Sequence, residues 1–324
     1  MLRTAFTDLV GCTVPIQLAP MGAVGTPDLA AAVIEAGGMA MLATTLVPGP
    51  ALRSMIETVN AKAAGPLGVN VLMPFLDEAL VDEIAPLVRL VDFYHGPPQP
   101  PLVGRVHNAG ALAGWQVGSV DEAKAAADAG CDLLVVRGTE GGGRMWGDRS
   151  LWPLLDEVLD AVDVPVLAAG GIGTGRGLAA ALAMGAAGVR LGTRFIATEE
   201  STAHDVWKDG VIAAGATDTV LTDAFSTMWP NGPEPHRVLR SAVEAAEQLD
   251  PDLEVVAELP GFPLPRFAVV PPNRATTGHV DAMALYAGES VYAVRSRERA
   301  GDVVRTIAAD AEARLTQAAA GRTG

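Results

Sequence analysis

Short apolar runs and longer amphipathic stretches alternate eight times along the first two-thirds of this chain. The runs at residues 16–21, 39–44, 67–72, 90–94, 111–116, 132–136, 164–169 and 188–191 have strand length. Their near-continuous apolar character predicts parallel strands buried on both faces. Helix-length segments separate and follow them, at 27–36, 50–63, 77–90, 100–109, 120–129, 151–162, 175–184 and 202–214. Glycines at 37–38, 130 and 185 close three of these segments, as C-cap glycines do ahead of a strand. Eight β/α units at this spacing predict an α/β fold, a closed (β/α)8 TIM barrel rather than an open doubly wound sheet.

Past residue 214 the rhythm stops. Scattered prolines between 217 and 273 surround a single helical stretch at 238–249, and helices are predicted again at 281–293 and 297–317. The expected organisation is a barrel over residues 1–215, a small irregular lobe over the barrel mouth at 216–280, and C-terminal helices at 281–324 closing onto the barrel.

Composition narrows the function. A chain of 324 residues that is 49% hydrophobic has room for a large core. Its formal charge of −15 argues against nucleic acid and anionic membranes as partners. Two cysteines, Cys12 and Cys131, are too few for a disulfide framework and are expected as packed thiols. The N-terminal segment lacks the apolar core of a signal peptide and no apolar run reaches membrane-spanning length, so a cytoplasmic location is expected. No metal is expected.

Chemistry enters where the strands end, since barrel sites gather at that face. The run at 164–169 ends in Gly170-Gly171-Ile172-Gly173, and the run at 188–191 ends in Gly192-Thr193, one crossover later. Glycines that bare backbone N–H groups beside a helix N-terminus make a seat for a phosphate. The other strand ends offer Ala19-Pro20-Met21, Asn70, Tyr94-His95, Gln116, and the loop Arg137 to Arg144 with Gly142 and Gly143. Amides at Asn70 and Gln116 both donate and accept, which suits the alternating groups of an isoalloxazine ring.

The order of these motifs resembles the nitronate monooxygenase family, formerly 2-nitropropane dioxygenases, across nearly the whole chain. The resemblance is carried by LAPMG, EAGGMAML, PLGVNVLM, the glycine-rich loop after the sixth strand, AAGGIGTGRGLAAALAMGAAGVRLGTRF, TDTVLTDAF, PHRVLR and YAGESV. It implies FMN as cofactor. Ala19, Pro20 and Met21 would line the flavin, Asn70 and Gln116 would contact its ring or ribityl chain, and Gly170, Gly171, Gly192 and Thr193 would hold its phosphate. Arg137, Gly142 and Gly143 would border the same site.

The chain departs from the family at the loop after the sixth strand. Arg144 stands where the family carries its histidine base, and Arg137 where it carries a Gln. A guanidinium stays protonated, so Arg144 can hold an anion but cannot abstract a proton; the alternative is a solvated loop residue or one half of an ion pair. His95 is the remaining acid/base candidate, with a buried structural histidine as its alternative. Met145 and Trp146 are candidate walls of a substrate pocket. The expected activity is an FMN-dependent oxidoreductase oxidising a nitronate or similar anionic small molecule with oxygen. An NAD(P)H-linked enoyl or enone reductase and a non-catalytic flavin-binding protein remain open, as does a homodimer.

Overall fold

The computed structural model describes residues 2–45 and 47–321; residues 322–324, the end of the expected C-terminal segment, lie outside the described residues. A first helix, α1 (Ala5–Val10), leads into β1 (Ile16–Leu18), α2 (Pro27–Glu35), β2 (Ala40–Ala43), α3 (Gly49–Lys62), β3 (Leu67–Leu72) and α4 (Glu78–Ile84). Next come β4 (Leu90–Tyr94), α5 (Pro100–Asn108), β5 (Leu112–Val117), α6 (Val120–Asp128), β6 (Leu133–Arg137) and a two-residue strand, β7 (Gly143–Arg144). The barrel finishes with α7 (Leu151–Ala161), β8 (Val166–Ala169), α8 (Gly175–Met184), β9 (Gly188–Leu191) and α9 (Asp205–Ala213).

Eight of these strands form one parallel sheet in the order β1-β9-β8-β6-β5-β4-β3-β2. A parallel bridge between Gln17 and Met39 returns β2 to β1 and closes the barrel. Each crossover helix starts soon after its strand, with a side-chain cap at several starts: Thr26 accepts from Leu29 N, Ser119 from Glu122 N and Thr174 from Gly177 N. Helix N-termini and strand C-termini therefore share one face. At the opposite face Phe6 and Val10 of α1 pack with Met39, Met41, Leu90, Leu133 and Leu167, which plug the barrel's bottom. Cys12 and Cys131 are free and buried, and burial pushes both thiols up to about 12.

The remaining chain builds β10 (Thr219–Thr222), β11 (His236–Leu239), α10 (Arg240–Gln248), β12 (Val255–Leu259), β13 (Phe262–Pro265), β14 (Thr277–Gly278) and α11 (Ala300–Ala320). β10, β11 and β7 form a three-stranded sheet, with His236 opposite Arg144 and Arg237 opposite Gly143. The glycine-rich loop after β6 is thus stitched into the lobe by backbone pairing. The helix expected at 238–249 begins only at Arg240, because Val238 and Leu239 extend this sheet. The helix expected at 281–293 is instead two isolated 3₁₀ turns, Val280–Ala282 and Glu289–Ala293. Its backbone is used otherwise: Tyr286 bridges Val238, Gly288 N donates to Thr193 Oγ1 at 2.9 Å, and Glu289 N to Glu140 O at 2.9 Å. α11 packs on α8 and α2. No helix among the described residues is long and apolar enough to cross a membrane.

Candidate active site

A cavity of about 540 Å³ opens at the C-terminal ends of the strands, between the barrel and the lobe. The strand-end glycines form one side of it. Gly170 and Gly171 hold positive φ values of 114° and 67°, which turn the chain sharply out of β8. A Cβ on Gly170 would sit 3.1 Å from Gly138 O and 3.2 Å from Gly141 N, so the two glycine loops pack backbone to backbone. At Gly192 an added Cβ would meet only Ala19 Cβ at 3.4 Å and Met21 Sδ at 3.9 Å, two residues of the cavity wall. The backbone N–H groups of Gly171, Gly192 and Thr193 have no acceptor among the described residues. Donors converge here without partners, the chemistry of an anion seat.

Inside the barrel, beneath this seat, lies a polar layer. Gln17 faces Arg190 across the β1–β9 pair and Asn70 faces Asp92 across β3–β4. Arg190 Nη2 lies 2.6 Å from Asp92 Oδ2, with both side chains almost wholly buried. Arg190 Nε donates to Gln17 Oε1 at 2.6 Å and Nη1 to Gln116 Oε1 at 3.0 Å. Asn70 Nδ2 donates to the Asp92 carboxylate and carbonyl, both at 3.2 Å. Burial pushes the Asp92 carboxyl above its ordinary range, while Arg190 and Asn70 pull it back.

The two loop arginines are committed to protein oxygens. Arg137 Nη1 donates to Tyr94 Oη at 2.5 Å and to the Arg144 carbonyl, and Nη2 to Gly142 O at 2.5 Å. Arg144 Nη1 donates to Glu234 O at 3.0 Å and Ser226 Oγ at 3.2 Å, and Nη2 to Phe225 O. Its guanidinium also stacks 4.6 Å from the Trp229 ring centre. Burial lowers the Arg144 pKa, with Tyr286 and Glu234 opposing. Arg144 therefore clamps the barrel loop to the lobe.

All the expected site residues except His95 line the cavity: Ala19, Pro20, Met21, Asn70, Gln116, Arg137, Gly142, Gly143, Arg144, Gly170, Gly171, Gly192 and Thr193. The His95 side chain is fully buried behind the wall, its ring 5.0 Å from that of Trp146 and 5.1 Å from that of Trp229. Among the described residues neither ring nitrogen has a hydrogen-bond partner, although Nε2 lies 3.4 Å from Glu234 Oε2. Burial drives its pKa down to about 4, against the pull of Glu234 and with the help of Arg137 and Arg144. Met145 and Trp146 do not line the cavity; Met228 and Trp229 of the lobe do. Sequence reasoning passed over Arg190 and Tyr286 as lining residues and Asp92 behind them. The available signal was a charged residue within an apolar strand run, at Asp92 and Arg190.

A family model for nitronate monooxygenase matches residues 3–85 and 80–310. A curated relative from Rhodococcus jostii (strain RHA1) is 40% identical over 245 residues, 74% of this chain and 66% of the relative. It is described as a (3aS,4S,5R,7aS)-5-hydroxy-7a-methyl-1-oxo-octahydro-1H-indene-4-carboxyl-CoA dehydrogenase. Among solved structures, FabK from Thermotoga maritima superimposes with a TM-score of 0.83 at 28% identity, covering 99% of both chains. Nitroalkane oxidase from Streptomyces ansochromogenes gives 0.73 at 29% identity, covering 97% of this chain and 100% of its own. The family that the strand-end motifs resemble is the family that matches, over the barrel and lobe together. The chain belongs to the nitronate monooxygenase family.

Proposed function

We propose that this protein is an FMN-dependent oxidoreductase that acts on an apolar acyl-thioester or enone substrate by hydride transfer. The observation that carries this reading is the make-up of the cavity wall: among the described residues, no histidine, carboxylate, lysine or cysteine lines it. Removing a proton from a neutral nitroalkane needs a base with a pKa near the working pH, and none stands at the wall. Holding a preformed nitronate needs a free guanidinium fork, and the Nη1 and Nη2 groups of Arg137 and Arg144 already donate to protein oxygens. The substrate side of the cavity is instead apolar, with Trp229, Leu259, Val269, Val270 and Pro271. Such a wall suits a bulky hydrocarbon body, and the Rhodococcus relative is named for a bicyclic acyl-CoA.

The residues present fit FMN. Unpartnered N–H groups at Gly171, Gly192 and Thr193 match a phosphate, and the open space at the Gly192 Cβ position permits close approach. Asn70 and Gln116 would hold the ring edge, with Ala19, Pro20 and Met21 along its side. The bound flavin would supply two-electron redox chemistry; the protein's part is to seat it, exclude water and orient the substrate. A single compact anion seat favours FMN over FAD.

Nitronate oxidation with oxygen is the second reading, favoured by the family description and by the nitroalkane oxidase likeness. Mass spectrometry of the chromophore released from the purified protein tests the cofactor, and FAD as the sole species would count against this assignment. Anaerobic mixing with NADH or NADPH, then with an enoyl-CoA panel or with air and a nitronate, separates the activities. Bleaching by nicotinamide and reoxidation by an enoyl-CoA is expected. Bleaching by nitronate alone, with oxygen consumed on mixing with air, would overturn the thioester reading.

A further inference from the structure

Arg190 and Asp92 are an ion pair in the middle of a barrel whose interior layers are ordinarily branched aliphatics. Burying such a pair costs several kcal/mol per ion before attraction returns it, so apolar residues of similar volume would serve stability as well. Here the pair is not even fully satisfied, since Asp92 Oδ1 has no hydrogen-bond partner among the described residues. What it does accomplish follows from the donor and acceptor inventory of its neighbours.

A guanidinium only donates. Gln17 and Gln116 must therefore turn their Oε1 atoms to Arg190, as the contacts at 2.6 and 3.0 Å show. That choice leaves Gln116 Nε2 as the other end of an amide that lines the cavity. A carboxylate paired with arginine only accepts. Asn70 must then offer Nδ2 to Asp92, and both hydrogens of that group are used, on Asp92 Oδ2 and on Asp92 O. Asn70 Oδ1 is left as the free end of an amide that lines the cavity.

We propose that the Arg190–Asp92 pair is a positioning element that fixes the polarity of both cavity amides, so that the site accepts a hydrogen bond at Asn70 Oδ1 and donates one from Gln116 Nε2. The ligand edge complementary to this is an N–H beside a C=O, an imide edge. This inference rests on the flavin reading and sharpens it: an oxidised isoalloxazine ring carries one N–H, at N3, between two carbonyls. Asn70 Oδ1 is the acceptor for that N–H. Arg190 and Asp92 touch no reacting atom in this scheme and act through the amides they hold.

The test compares dissociation constants of FMN and N3-methyl-FMN for the apoprotein, by quenching of flavin fluorescence. Four proteins are compared: the unmodified chain, Asp92→Asn, the neutral pair Asp92→Asn/Arg190→Gln, and Asn70→Ala. Thermal midpoints are recorded alongside. The unmodified protein is expected to prefer FMN by about tenfold, the size of one buried hydrogen bond lost to methylation. Each variant is expected to bring that preference below about threefold, because a flipped or missing amide no longer demands the N–H. A pair that only supported the fold would weaken both ligands together and leave the ratio near ten, which overturns the proposal. The neutral double variant leaves no unpaired buried charge and stands in where Asp92→Asn alone does not fold. Should both pair variants fail to fold, Asn70→Ala decides, since a retained preference there overturns the proposal and a lost one supports it. Equal binding of FMN and N3-methyl-FMN by the unmodified chain refutes this inference alone; no binding of either refutes the flavin reading beneath it.

Discussion

Gly192→Ala isolates the proposed phosphate seat from the fold that carries it. Gly192 sits at φ −115°, outside the region that only glycine favours. Its added Cβ would find ordinary van der Waals contacts, 3.4 Å from Ala19 Cβ and 3.9 Å from Met21 Sδ. Folding stability should therefore hold or rise by roughly 0.4–1 kcal/mol, through the lower entropy of the unfolded chain. Ligand binding responds differently. The methyl would occupy the space through which a phosphate approaches the free N–H groups of Gly192 and Thr193. Hydrogen bonds to a charged group contribute about 1.5–3 kcal/mol each. Losing the two amounts to at least ~3 kcal/mol, or about 10²-fold in the FMN dissociation constant. Flavin fluorescence titration of the apoprotein measures the dissociation constant, and urea unfolding measures the stability. A rise in the dissociation constant of under about threefold would place the phosphate elsewhere. Gly170→Ala is the contrasting control: at φ 114°, with backbone atoms 3.1–3.3 Å from the new Cβ, it should lose stability as well as ligand. The expected stability loss is of order 1–3 kcal/mol.

Gly171→Val belongs with Gly170, since φ is 67° and Glu140 Cβ lies 3.1 Å from the added carbon, so flavin loss and a lowered thermal midpoint are expected together. Arg144→Ala should lower stability by roughly 2–4 kcal/mol in denaturant unfolding, because it strips the buried Phe225 and Glu234 carbonyls of their donor. Arg144→His should gain no nitroalkane turnover in steady-state assays, since the side chain would replace a lobe clamp rather than face a substrate. His95 and His236 are both held to about 4 by burial, against an ordinary 6.5, so each stays neutral in the folded protein at pH 7. Between those two values the unfolded chain binds more protons, and stability should fall as the pH drops from 6.5 toward 4. The slope is at most roughly 1.4 kcal/mol per pH unit for each histidine. Urea unfolding at pH 5 and 7 checks it; His95→Asn, which tolerates the φ of 72° at that position, should reduce the slope, and a flat profile in the unmodified protein would refute the assignment.

The barrel was legible because each of its strands is buried on both faces. A run such as Leu-Gly-Val-Asn-Val-Leu at 67–72 has one reading when helical segments flank it, and the structure places β3 on those residues. The glycine junctions were legible for a related reason: backbone conformation and close approach are written directly into residue type. The segment 281–293 misled because its residues carry helical periodicity while their backbone groups bond to Thr193, Glu140 and Val238, far away in sequence. Nothing local records such partners.

Arg144 shows the same limit at the scale of chemistry. From sequence, an arginine in place of the family's histidine at a cavity mouth reads as a receptor for an anion, and residue type permits nothing stronger. Whether a guanidinium is free depends on which acceptors reach it, and here they come from residues 225, 226 and 234, more than 80 positions along the chain. A lobe that folds over the barrel mouth brings bare carbonyls with it, and a buried carbonyl needs a donor. The arginine meets that need, so its Nη donors are taken up by the protein although the residue lines the cavity. On the proposal above, binding specificity at this mouth falls to groups whose polarity is held from beneath: a polar layer inside the barrel, one residue to a strand, invisible as a pattern because each member sits alone in an apolar run.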